Sequence, residues 1–351
     1  MKRSWLVLTD GYLISRNAKT AHGVIRYARD DIGAVLDRDF AGRSLHEVMP
    51  ELRREAPIVA SVGEGVALGA TSLLLGVATP GGWIPEHWRV WVVEAIESGL
   101  EIANGLHRLL GDDAELVTLA EKHGARLWDV RKPPPDIPLN SGRAIEADQR
   151  IVATVGSDCA VGKMTVSVEL AEAGRAAGHA TEFVATGQTG ILIAGWGIAV
   201  DRVISDFTAG AAEQLVVGAP GESEILIVEG QGGLWHPAYS GVTLSLLHGS
   251  APEVLVLCHQ AGRTAIEEPP YTVLPMLAEM VATYQTLASS VRPAKVACVA
   301  VNCRGLSDDE ARAALRSVED ETGLLAGDVL RGDGPRLWEA VEGALADVAR
   351  V

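Results

Sequence analysis

The chain has 351 residues, 48% of them apolar, and a formal charge of −16, a length that predicts two domains rather than one. Residues 1–150 carry 18 Lys and Arg against 21 Asp and Glu, and the remainder 12 against 25, so no basic stripe for nucleic acid is expected. No apolar run approaches the roughly 18 residues of a membrane span. The opening Met1-Lys-Arg-Ser-Trp-Leu-Val-Leu leads straight to Asp10 rather than forming a signal peptide. Cys159, Cys258, Cys298 and Cys303 lack C-x-x-C spacing, so reduced thiols in a cytoplasmic protein are expected.

From the amino terminus, strands are expected at 5–9 and 33–37 with a helix over 18–29 between them, then strands at 58–62 and 72–77. A helix at 87–98 closed by Gly99, a strand at 100–103, a helix near 114–122 ending at Gly124 and a strand at 125–130 continue the alternation. That order predicts a parallel, doubly wound sheet. The first strand runs into Asp10-Gly-Tyr-Leu with no G-x-G-x-x-G, giving a Rossmann-like shape without the dinucleotide fingerprint. Lys132-Pro-Pro-Pro-Asp-Ile-Pro138 is stiff and cannot continue a helix. It places a boundary between domains 1–140 and 141–351.

The second domain reads as a strand at 151–155, a glycine-rich loop, a helix at 163–177, a strand at 181–185, a glycine-rich segment and a helix near 208–217. Strands follow at 224–228, 253–258 and 295–301, and His248 is read as following more strand. A helix is expected over 271–289 and a mostly helical tail over 307–351. The fold class is α/β with two parallel-sheet domains, the first Rossmann-like and the second P-loop NTPase-like.

Ile151-Val-Ala-Thr-Val-Gly-Ser-Asp-Cys-Ala-Val-Gly-Lys-Met-Thr165 reads as a buried strand, a glycine-rich loop and the start of a helix. Such a turn aims backbone N–H groups and a helix N-terminus at one point, which binds phosphate. Of six lysines only Lys163 and Lys295 lie beyond residue 150, and Lys163 stands where a phosphate-binding lysine belongs. The expected cofactor-binding residues are Gly156, Ser157, Asp158, Cys159, Ala160, Val161, Gly162, Lys163, Met164 and Thr165. Five residues rather than the usual four separate Gly156 from Gly162, a spacing that resembles the dethiobiotin-synthetase loop G-T-D-T-x-V-G-K-T. Met164 takes the place of the Ser or Thr that ligates Mg²⁺, and a thioether is a poor ligand for a hard cation. Thr165 is turned about 100° further around the helix. The loop is expected to hold a pyrophosphate without Mg²⁺ chemistry, and no metal is assigned.

Glu224-Ile-Leu-Ile-Val-Glu-Gly-Gln-Gly-Gly233 delivers Glu229 to the carboxyl end of an apolar strand. It resembles V-E-G-A-G-G of dethiobiotin synthetase, which implies a carboxylate beside the loop. Val299-Ala-Val-Asn302 ends in Asn302, which that branch uses on an adenine edge, although Asn is equally a turn residue. Ala185-Thr-Gly-Gln-Thr-Gly190 contributes Gln188. Trp235-His-Pro-Ala-Tyr-Ser-Gly241 contributes His236, Tyr239 and Ser240, and Cys258-His-Gln-Ala-Gly-Arg263 follows.

The runs G-S-D-C-A-V-G-K-M-T, F-V-A-T-G-Q-T-G-I, V-E-G-Q-G, H-P-A-Y-S-G-V-T-L, L-L-H-G-S and V-L-C-H occur in this order, preceded by G-V-I-R-Y, G-L-H and D-V-R-K-P. On these runs the chain, end to end, is identified as a member of a bacterial and archaeal family long described as of unknown function, one branch of which is the D-glutamate N-acetyltransferase family. The resemblance implies transfer of an acetyl group from acetyl-CoA, as co-substrate, to the amine of an acidic amino acid, D-glutamate, in amino-acid catabolism. The pyrophosphate of acetyl-CoA suits a loop that dispenses with Mg²⁺. Catalytic work falls to Glu229 or His236 as base, with Tyr239 and Asp158. Arg263, Arg304, Ser240 and Gln188 are candidates to hold the substrate. Direct attack by the amine is preferred to a ping-pong route through Cys159. The alternatives are an ATP- and Mg-dependent carboxylate-activating ligase, with Asp206 completing a metal site, and a non-catalytic nucleotide sensor. Expected partners are a small-molecule substrate and a second copy of the chain, with no nucleic acid and no membrane.

Overall fold

The computed structural model describes residues 3–268 and 272–348. Two compact units are present, Met1–Lys132 with Gln188–Gly195, and Pro133–Gly187 with Trp196–Val351.

The first unit contains β1 (Ser4–Leu8), α1 (Lys19–Tyr27), β2 (Asp31–Leu36), α2 (Leu45–Val48), β3 (Ile58–Val59), α3 (Val62–Ala67), β4 (Ser72–Leu75), α4 (Arg89–Glu97), β5 (Glu101–Asn104), α5 (Ala114–His123) and β6 (Leu127–Asp129). Its six strands are parallel in the order β3-β2-β1-β4-β5-β6, the doubly wound order of dinucleotide folds. Helices cover both faces of such a sheet, so Trp5, Leu6, Val7 and Leu8 are all buried. The strand expected at 58–62 is cut short because the Ser61 hydroxyl accepts the Glu64 amide and starts α3.

A carboxylate explains the missing glycine fingerprint. Asp37, just beyond β2, is buried. Its Oδ2 accepts the Thr9 hydroxyl at 3.1 Å and the Leu13 amide at 3.2 Å, and its Oδ1 accepts the Asp39 amide at 3.2 Å. Burial pushes the Asp37 carboxyl up from its ordinary value. The turn after β1, which in a dinucleotide-binding sheet faces the pyrophosphate, is here satisfied from within the protein.

The second unit contains β7 (Arg150–Gly156), α6 (Lys163–Ala176) and β8 (Thr181–Val184), after which α7 (Gln188–Ala194) clusters with the first unit. It continues with α8 (Ser205–Val217), β9 (Ile225–Val228), α9 (Ser240–Ser250), β10 (Val254–Gln260), α10 (Leu277–Ser289), β11 (Lys295–Asn302), α11 (Asp308–Thr322), β12 (Leu325–Gly327) and α12 (Gly334–Asp347). The strands are parallel in the order β12-β11-β10-β7-β9-β8. β7 is flanked by β10 and β9, so the carboxyl ends of these three strands adjoin at the point where the winding reverses, where open α/β sheets bind ligands.

Two expectations need correction here. His248, read as following strand, lies in α9, whose Thr243, Leu246, Leu247 and Ser250 are buried at helical spacing. Gly249 lets this helix pack closely on α8, since a Cβ there would lie 2.0 Å from the Ala209 carbonyl oxygen. The helix expected over 271–289 begins at Leu277, after Pro275, and Tyr271 lies outside the described residues. The tail is mostly helical as expected, with the short strand β12 between α11 and α12, and residues 349–351 lie outside the described residues.

The segment leading into β7 is fixed to α8. Glu213 accepts the Ser141 amide at 3.1 Å, its hydroxyl at 2.9 Å and the Arg143 amide at 2.6 Å. No helix among the described residues is long and apolar enough to cross a membrane.

Candidate functional site

β7 ends at Gly156, and the next six residues turn the chain into α6, whose first residue is Lys163. Within that turn Ala160 has φ 54° and Gly162 φ 108°. A left-handed non-glycine residue is costly and persists where function needs the shape. Such turns direct successive amides to one point and form an anion nest. Lys163 is buried and folds back over the loop, its Nζ donating to the Asp158 carbonyl at 2.8 Å. Burial pushes its ammonium down from the ordinary value. A Cβ at Gly156 would lie 2.8 Å from that Nζ, which is why glycine ends the strand.

The loop is held from behind by β10 and α10. The Ser157 amide donates to the Cys258 carbonyl at 2.9 Å, and its hydroxyl shares a 2.9 Å hydrogen bond with His259 Nδ1. Burial, then the Arg263 guanidinium, holds the His259 imidazole down at about 4. The Tyr284 hydroxyl donates to the Gly156 carbonyl at 2.7 Å, and its ring stands edge-on to Trp235 at 5.6 Å.

Asp158 is fully buried. Its Oδ1 accepts the Cys159 amide at 2.7 Å, and its Oδ2 accepts Arg263 Nη1 at 2.6 Å and the Glu267 amide at 2.9 Å. Arg263 also donates to Gln260 Oε1 at 2.6 Å. The two residues read from the sequence as a catalytic group and a substrate cation are therefore tied to each other.

Glu229, directly after β9, is buried beside the loop. Its Oε2 accepts the Thr186 amide at 2.9 Å and the Gly187 amide at 3.1 Å. Burial pushes the carboxyl up to about 7, against the pull of those two amides and of the Lys163 ammonium. The adjacent Gly230 amide donates to Thr154 Oγ1 at 2.9 Å. His236 is buried and Tyr239 is half exposed, their rings 4.5 Å apart. A carboxylate oxygen of Asp158, the Cys159 sulfur and a ring nitrogen of His236 lie within 4.8 Å of one another.

Val161 is buried, whereas Met164 and Thr165 are partly exposed on the first turn of α6. Ser240 is the first residue of α9. Asn302 Oδ1 accepts the Arg304 amide at 3.0 Å, a local turn that leaves its NH₂ group for a ligand. The Arg304 side chain is exposed and enters no ion pair among the described residues. Gln188 opens α7 and packs in the first unit, where a Cβ on Gly105 would lie 3.1 Å from its Cγ. Asp206 is exposed in the first turn of α8. Sequence reasoning passed over Thr154, Tyr284 and Glu267, because an apolar strand, a helix period and a loop give no sign of the partners they meet.

Residues 138–338 match the family described as domain of unknown function DUF1611_C, a P-loop domain, and residues 38–133 match DUF1611_N, a Rossmann-like domain. A D-glutamate N-acetyltransferase of Tritonibacter scottomollicae is 40% identical over 79% of this chain and 83% of its own. One of a Pseudoalteromonas species is 38% identical over 77% and 81%. The crystal structure of a DUF1611 family protein from Anabaena variabilis superposes with a TM-score of 0.91 at 37% identity, covering 97% of this chain and all of that one. Identity at this level over most of both chains settles family membership: the chain belongs to the DUF1611 family and, within it, to the D-glutamate N-acetyltransferase family.

Proposed function

We propose that the protein is an acyltransferase that moves an acetyl group from acetyl-CoA to the amine of D-glutamate, in the catabolism of that amino acid. One observation carries this reading: the buried Lys163 and the buried Glu229 carboxyl, pushed up to about 7 by burial, meet at one end of the sheet. The nest at Ala160 and Gly162, the N-terminus of α6 and Lys163 suit the pyrophosphate of CoA. Met164 offers no hydroxyl for Mg²⁺, and binding a phosphate without cleaving it requires none.

Transfer to an amine needs a base, because the substrate arrives as an ammonium ion. Glu229 takes one proton from the ammonium, the freed nitrogen lone pair attacks the thioester carbonyl, and as the C–S bond breaks the second nitrogen proton passes to the departing thiolate, giving the amide and the CoA thiol. A carboxyl that titrates near neutrality is matched to that task. Tyr239 and His236 are proposed to wall the acetyl site, and Arg304, exposed and in no ion pair among the described residues, is the proposed cation for a substrate carboxylate. Ser240 and Asn302 complete the proposed contacts, and a homo-oligomer is the expected assembly.

The deciding assay follows release of free CoA thiol from acetyl-CoA in the presence of D-glutamate, L-glutamate and neutral D-amino acids. Release that depends on D-glutamate, with N-acetyl-D-glutamate found by mass spectrometry, supports the reading. Phosphate release from Mg-ATP without thiol release would move the protein to the ligase class.

A further inference from the structure

We propose that Asp158, Cys159 and His236 form a binding site for a borderline-soft divalent cation of the Zn²⁺ class beside the phosphate-binding loop. A carboxylate oxygen, a thiol sulfur and a ring nitrogen from these residues lie within 4.8 Å of one another. Zinc bonds of about 2.0–2.3 Å in a tetrahedron bring ligand atoms somewhat closer than that, so small side-chain rotations close the set. One sulfur, one nitrogen and one oxygen donor select zinc or a similar ion over Mg²⁺ and Ca²⁺, which favour oxygen alone.

The surroundings prepare each donor. Asp158 is oriented by Arg263 and the Glu267 amide on Oδ2, while Oδ1 takes a single amide and keeps a lone pair to give. Cys159 is the one cysteine of the four that is not fully buried, and it lies in the loop that leads into α6. His236 Nδ1 accepts the Ala238 amide at 3.2 Å. A cation on Nδ1 replaces that long hydrogen bond. A cation on Nε2 moves the ring proton to Nδ1 and costs the same bond. Binding releases one proton, from the thiol. Three protein ligands leave a fourth position for water or a substrate oxygen. The site rests on donor geometry alone and does not depend on acetyl transfer.

Titration of metal-free protein with Co²⁺ tests it. A thiolate-to-cobalt charge-transfer band is expected to saturate at one equivalent per chain and to be displaced by Zn²⁺. Cys159→Ser should abolish the band, and His236→Ala should weaken Co²⁺ affinity at least tenfold. In the unaltered protein, Zn²⁺ should protect Cys159 from iodoacetamide, as read by peptide mass spectrometry, so the result does not hang on how the variants fold. A band that persists in Cys159→Ser, or alkylation of Cys159 at the same rate with and without Zn²⁺, overturns the proposal.

Discussion

The Thr154 hydroxyl accepts the Gly230 amide at 2.9 Å and so ties the end of β9 to the middle of β7. The same hydroxyl lies 2.9 Å from the Ser167 hydroxyl, and Ser167 in turn donates to the Lys163 carbonyl at 3.0 Å. Ser167 has one proton to give, so Thr154 donates to Ser167 while accepting from Gly230. One threonine thereby couples the residue after Glu229 to the first turn of α6.

That contact leaves no room for a side chain at residue 230. A Cβ there would lie 1.9 Å from the Thr154 carbonyl oxygen. Gly230→Ala is expected to destabilise the protein by roughly 2–4 kcal/mol, because two backbones would have to part. Urea unfolding followed by circular dichroism measures it, and a change below about 0.5 kcal/mol, the range of a neutral surface substitution, would contradict the close approach.

Lys163→Ala removes a charge-assisted contact and is expected to weaken CoA and acetyl-CoA binding by roughly 2–4 kcal/mol. Acetyl-pantetheine lacks the pyrophosphate, so its KM should be the same in variant and parent. Equal loss with both donors would place Lys163 at the reacting group instead.

Glu229→Gln keeps acceptor geometry for the Thr186 and Gly187 amides while removing the base. The expected loss is roughly 10²–10⁴-fold in kcat with cofactor affinity nearly unchanged. In the parent, kcat should rise with pH through about 7 as Glu229 ionises. Stability runs the other way. The carboxyl titrates near 4.5 when unfolded and about 7 when folded, so its contribution is full below 4.5 and lost as pH rises through 7. The variant should gain stability relative to the parent between pH 5 and 8, by up to on the order of 3 kcal/mol, seen as a higher Tm. A Tm difference that is flat with pH would refute a raised carboxyl.

His259 shows the opposite sign. Its imidazole titrates at about 4 in the fold against an ordinary 6.5, so its contribution is present above 6.5 and is lost as pH falls towards 4. His259→Gln should flatten the decline of Tm across that window. An acid limb identical in the two proteins would mean that other groups set it.

Much of this site could be read without coordinates, and the reasons are local. Lys163 and the glycines around it announce a phosphate loop because few other sequences need that combination. Glu229 is legible because an apolar strand ends in an acid and then in glycines that let it approach the loop. The parallel, doubly wound character of the first sheet also follows from the alternation of strands and helices. What escaped depends on partners distant in sequence. Nothing around Arg263 reveals that its fork is taken by Asp158, and nothing adjacent to Cys159 announces His236. Residues 240–250 carry two glycines and three serines, which weaken a helical reading until α8 supplies the surface that they pack on.

The Asp37 carboxylate bears on stoichiometry. Two parallel sheets of this shape could each seat a nucleotide, but in the first an internal anion already takes the amide and hydroxyl donors of the turn after β1. A second phosphate arriving there would meet negative charge where it needs N–H groups. Calorimetric titration with CoA should therefore saturate at one mole per mole of chain.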